Sequence, residues 1–110
     1  MADFLITIKK RSTFVHIKDH GKFIRSSSFN IQILEDLQLE EVIAVGYTAT
    51  KRLGNAVIRN KSKRIMRELA KKILINGKIN SYYVLIAKIS IFDTNFKNLL
   101  EELDKSVNVK

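Results

Sequence analysis

Lys51-Arg52-Leu53-Gly54-Asn55-Ala56-Val57-Ile58-Arg59-Asn60-Lys61-Ser62-Lys63-Arg64-Ile65-Met66-Arg67-Glu68 decides the fold, because a turn, a helix start and a two-sided helix are all written in it. Glycine reaches backbone conformations closed to other residues, and asparagine is a good helix N-cap, so Leu53-Gly54-Asn55 reads as a turn into a helix. Continuing the helical period gives a helix over residues 56–75. Its Ile58, Ile65, Leu69 and Ile73, with Ser62, share one face at about 100° per residue. That face needs a cover, and a β-sheet is the expected one.

The rest of the helix is cationic. Arg59, Lys63, Arg67 and Lys71 recur every fourth residue, with Asn60 and Arg64 on the adjoining row, opposite the apolar face. Neighbours on such a row stand about 6 Å apart and repel one another, which a polyphosphate would relieve. Arginine forks grip phosphate oxygens bidentately and lysines add point charge. Asn60 offers a donor and an acceptor to a base edge or a 2′-hydroxyl, and the turn before the helix can present backbone N–H groups to phosphate.

Working outward, Val42 to Tyr47 is a continuous β-rich run, expected to be a central strand covered on both faces and to stop at the turn Lys51 to Asn55. Upstream, Phe29, Ile31 and Ile33 alternate with Asn30 and Gln32, as in a half-buried strand ending at Glu35-Asp36, with Phe23 and Ile24 opening a strand before it. A short first helix is expected from an N-cap at Ser12 through Phe14, Val15 and Ile17 to a left-handed Gly21. Downstream, Asn76-Gly77 stops the long helix and Tyr83 to Ile89 reads as a buried strand. A final helix carries Phe96, Leu99, Leu100 and Leu103, capped by Asp93 or Thr94, with a tail expected to fray from about Lys105 to Lys110.

The 110 residues fit one domain, residues 1–110, with an apolar share of 45% that is enough for one core. A formal charge of +9 favours a polyanionic partner. Nine of the twenty basic residues lie in 51–72 with a single acid, whereas 26–50 carries four acids and no base. Such one-signed crowding distinguishes a nucleic-acid face from a merely solvated helix of alternating charges. Without cysteine, disulfides and thiolate metal sites are excluded. There is no apolar run long enough to span a membrane, and Asp3 stands where a signal peptide carries positive charge, so a cytoplasmic location is expected.

The quoted stretch closely resembles the signature of the bacterial ribonuclease P protein component, G-N-A-V-x-R-N-R-x-K-R-x-x-R-E, with Gly54, Asn55, the apolar pair and the spaced cations in register. Lys9-Lys10-Arg11-Ser12-Thr13-Phe14 with His20-Gly21 is similar to that family's first helix, Val45-Gly46-Tyr47-Thr48-Ala49-Thr50 to the strand before the motif, and Tyr83-Val84-Leu85-Ile86-Ala87-Lys88 to the strand after it. Lys61 stands where the motif has arginine, Tyr82 where the family often has aspartate, and Lys18 and Gln32 where some members have aromatics lining a cleft.

The resemblance implies an α+β fold, a single-domain α/β sandwich of order α-β-β-β-α-β-α, with a left-handed crossover between parallel strands where most are right-handed. It implies an RNA-binding domain with two surfaces. Lys51, Arg52, Asn55, Arg59, Asn60, Lys61, Lys63, Arg64, Arg67 and Lys71 would meet the catalytic RNA of ribonuclease P, and Phe14 would line a cleft for the single-stranded 5′ leader of precursor tRNA. No catalytic or metal-binding residue is expected in the protein, since Mg2+ would serve the RNA subunit. Neither membrane nor DNA is an expected partner.

Two other readings fit parts of the sequence. His16 and His20, four apart, could act as acid and base in a stand-alone nuclease. A generic RNA-binding or ribosomal-type protein would share the cationic helix but would not prefer precursor over mature tRNA. A basic amphipathic membrane binder is disfavoured because the apolar face of residues 58–73 is needed to cover the sheet.

Overall fold

The structure, a computed structural model, describes residues 4–108. Asp3, Val109 and Lys110 lie outside the described residues. Strand β1 (Leu5–Thr7) leads into helix α1 (Arg11–His20), the hairpin β2 (Lys22–Arg25) and β3 (Phe29–Glu35), and strand β4 (Ile43–Thr48). Helix α2 (Ala56–Ile73), strand β5 (Ser81–Ala87) and helix α3 (Phe96–Asn108) complete the order. The five strands form one mixed sheet, β1-β4-β5-β3-β2, with β1, β4 and β5 mutually parallel and β3 antiparallel to both β5 and β2. The expected order is therefore present, with one short parallel strand added at its start.

Period-two alternation assigns the two faces. Phe29, Ile31, Ile43, Val45, Tyr83 and Leu85 point to one side, where Met66, Leu69 and Ala70 of α2 and Leu99 and Leu103 of α3 cover them. Ala44 and Val84 point to the other side, where Ile8 and Ile17 close a smaller cluster with Phe14. The sheet is thus sandwiched, α2 and α3 against α1, and β4 is covered on both faces as its unbroken apolar run requires. Burying one of the larger core side chains contributes about 2–5 kcal/mol by the cost of truncating it to alanine.

Several boundaries differ from the sequence reading for local reasons. Helix α1 starts at Arg11 rather than after a Ser12 cap, because the Lys10 carbonyl accepts from Thr13 and Phe14 N–H, at 3.1 and 3.3 Å, with no side-chain cap. Gly21 ends it in extended conformation, φ −83°, because the chain runs straight into β2. Helix α3 is capped by Asn95, whose side-chain oxygen accepts from Asn98 N–H at 2.8 Å, while the Thr94 hydroxyl donates instead to the Ser90 carbonyl. It stays helical to Asn108, past the expected fraying point at Lys105, since Val107 packs on the core and Ser106 donates to the Glu102 carbonyl. Phe96 and Ile89, both expected in apolar faces, are exposed, the latter in a 3₁₀ turn after β5.

Candidate nucleic-acid interface

The interface begins at Gly54. Its φ of +148° lies where a side chain is strained, and a β-carbon there would stand 3.1 Å from Ile58. The next residue, Asn55, caps α2 by accepting from Ile58 N–H at 3.0 Å. The turn is therefore fixed by two residue types that the sequence names outright.

Along α2 the row of every fourth residue does not stay on one side. A helix of 3.6 residues per turn advances such a row by about 40° per step, so it winds from the flank of α2 to its crest. Arg59 and Lys63 are half-buried on the flank, not opposite the apolar face as expected, while Asn60, Arg64, Arg67 and Lys71 stand exposed along the crest. Arg59 bends back and donates from Nη1 to the Gly54 carbonyl at 2.9 Å, tying helix to turn. The apolar face also has Met66 and Ala70 at its centre, both fully buried, and Ser62 is tolerated there because its hydroxyl donates to the Arg59 carbonyl at 2.7 Å.

The remaining candidates divide between surfaces. Arg67 lies 5.4 Å from the Tyr47 ring centroid, and burial pushes the Tyr47 hydroxyl above its ordinary pKa despite the opposing pull of Arg67. Lys61 sits on the opposite flank, its Nζ 5.7 Å from the Phe92 ring centroid, and so is not gathered with Lys63. Lys51 and Arg52 are exposed in the 3₁₀ turn before Gly54. Lys71 pairs with Glu68 at 3.6 Å, but both are more than half exposed, so the pair is worth at most about 1 kcal/mol and leaves the crest strongly positive.

Beside this crest a cleft of about 570 Å³ opens between α1 and the sheet. Its floor is Val84, Ile86 and Gln32, one wall is Phe14, Val15 and Lys18 of α1, and Tyr47, Thr48 and Lys63 close the end toward α2. Lys9 and Arg11 stand at its mouth. Phe14 both belongs to the α1-side cluster and lines the cleft, because its ring lies directly on Gly46, where a β-carbon would come within 2.4 Å of it. Lys18 and Gln32 line the cleft at the positions the resemblance pointed to, whereas the sequence reading missed Lys9, Arg11 and Lys63 as cleft residues. The signal was there: Arg11, Phe14 and Lys18 are three and four residues apart, hence on one side of α1.

The rings of His16 and His20 lie with centroids 4.8 Å apart, tilted by 48° to one another, and both are exposed. Neither lines the cleft, and among the described residues no group of three or more His, Asp or Glu is placed to hold a metal ion. No helix among the described residues is long and apolar enough to cross a membrane.

A family model described as Ribonuclease P matches residues 5–109. The ribonuclease P protein component of Syntrophus aciditrophicus is 34% identical over 97 residues, which cover 87% of this chain and 79% of that one. The component of Clostridioides difficile is 33% identical over 102 residues, covering 91% and 83%. Of solved structures, the Staphylococcus aureus RNase P protein superposes with a TM-score of 0.76 at 26% identity, covering 91% of this chain and 90% of that one. The RNase P protein from Thermotoga maritima gives 0.80 at 19% identity over 94% and 97%, a likeness of fold.

Proposed function

The chain belongs to the ribonuclease P protein family, and from that premise we propose that it is the RNA-binding, non-catalytic subunit of a bacterial ribonuclease P, a cytoplasmic ribonucleoprotein endonuclease of tRNA processing. The exposed crest of α2, with Lys51 and Arg52 at its foot, docks on the catalytic RNA. The cleft beside it holds the single-stranded 5′ leader of precursor tRNA. Cleavage is carried by the RNA subunit with Mg2+, and it removes the leader to give the mature 5′ end.

What carries this reading is the one-signed crest lying next to an apolar-floored, cation-rimmed cleft, with Lys63 and the Arg67–Tyr47 contact at their junction. Arg64 and Arg67 replace counterions on phosphates of the ribozyme, which makes binding salt-dependent. In the cleft, Phe14 offers a face to a leader base while Lys18, Arg11 and Lys63 neutralise phosphates on either side. Mature tRNA lacks a leader, so only the precursor gains these contacts. Cations between two RNA surfaces also lower their mutual repulsion, which reduces the magnesium the RNA needs to bind substrate.

Arg64→Ala and Arg67→Ala test the crest without disturbing the core. Each is expected to weaken association with a ribonuclease P RNA by about 1–3 kcal/mol and to reduce the salt slope by about one, with the melting temperature held. Unchanged affinity in both would count decisively against the crest as the docking surface. The nuclease reading of His16 and His20 has no support in their position outside the cleft.

A further inference from the structure

Phe23, on the edge strand β2, is 50% exposed and packs in neither core cluster, so it forgoes much of the burial energy a phenylalanine can contribute. Strand register shows what it adjoins. Phe23 pairs with Gln32, Gln32 with Val84, and Val84 with Gly46, so these four form one straight row across β2, β3, β5 and β4 on the α1 side of the sheet. The Phe14 ring rests on Gly46 at one end of the row, and Phe23 stands at the other. Three strand spacings separate the ends, roughly 14 Å. Between them Val84 and Gln32 already floor the cleft.

The chemistry around Phe23 selects the occupant. On this face β2 and β3 present Phe23, Arg25, Asn30, Gln32 and Leu34, with no carboxylate, and Arg25 pairs with Asn30 in the row beyond. A small depression at the strand edge is bordered by Phe23 and Arg25 from this face and by Lys22 and Lys105 from the α3 side. An exposed planar ring with an arginine and two uncharged amides on its own face, and two lysines across the strand edge, fits a chain of stacked bases and phosphates.

We propose that Phe23 is a second stacking platform for single-stranded RNA, with Arg25 contacting the adjoining phosphate, so that RNA leaving the cleft past Gln32 continues over the hairpin to the edge of the sheet. This rests on the cleft holding the leader, and it assigns the leader's course beyond the Gln32 end of the cleft, away from Phe14.

The test uses the full chain assembled with a bacterial ribonuclease P RNA and two substrates: a precursor tRNA with a long single-stranded leader, and the same tRNA with the leader cut back to a stub. Phe23→Ala should weaken binding of the long-leader substrate about tenfold and leave the stub unaffected. Phe23→Tyr should preserve affinity and Phe23→Leu should lose it, a contrast that stands even if the alanine variant folds poorly. Loss with Phe14→Ala but none with the Phe23 variants overturns the extension and leaves the cleft reading intact. No loss with either overturns both. Equal loss on both substrates, or a change in the sedimentation of the free protein that marks β2 as an edge pairing with a second copy, also overturns it.

Discussion

Gly46 and Phe14 meet so closely that a single methyl group decides whether the cleft keeps its shape. A β-carbon at Gly46 would stand 2.4 Å from Cε1 of Phe14, far inside van der Waals contact, so the half-buried ring must move. Gly46→Ala is therefore expected to cost about 1–3 kcal/mol in thermal unfolding and to weaken leader-dependent binding while sparing association with the catalytic RNA. An unchanged melting temperature with unchanged leader affinity would show that the ring does not need this glycine. Residues of this kind were only partly legible in the sequence. Gly54 and Asn55 announce themselves, because a turn followed by a cap has few chemical solutions. Gly46 does not, since its requirement comes from α1, more than thirty residues earlier in the chain. The dual position of Phe14, core on one side and cleft on the other, is likewise a tertiary fact.

Among the elements, α2 was the most readable, since its period places the apolar side chains under the helix whatever covers them. The same period misplaced the cations by treating a fourth-residue row as straight. Real winding puts Arg59 and Lys63 on the flank and leaves Asn60, Arg64 and Arg67 on the crest. Three residues of parallel pairing, Leu5 to Thr7, are too short to show a period, so β1 was not anticipated. The last turns of α3 depend on Val107 meeting the core, which no local signal announces. Glu68 is the single carboxylate of α2, exposed and, among the described residues, paired only with Lys71. Glu68→Gln should therefore tighten binding to ribonuclease P RNA at low salt by a few tenths of a kcal/mol, with the gain lost at high salt. Weaker binding in that variant would mean that Glu68 itself meets the RNA.

At the scale of the whole molecule, the sheet separates two tasks. Its α2–α3 side holds the large core, and its α1 side is only partly covered, leaving the cleft and the row toward Phe23 open. The cationic crest of α2 lies at the border, so under the proposed function one small domain faces two stretches of RNA at once. Single-domain size and net charge were evident from composition, but which face stays open depends on α1 being ten residues long and crossing only part of the sheet. The most direct measurement mixes the folded chain with a bacterial ribonuclease P RNA at a magnesium concentration too low for the RNA alone and follows a labelled tRNA precursor. Restored trimming of the leader, lost on adding salt or on combining Arg64→Ala with Arg67→Ala, is the expected result. An RNA that stays inactive with the folded wild-type chain bound, or trimming indifferent to both arginines, would contradict the account.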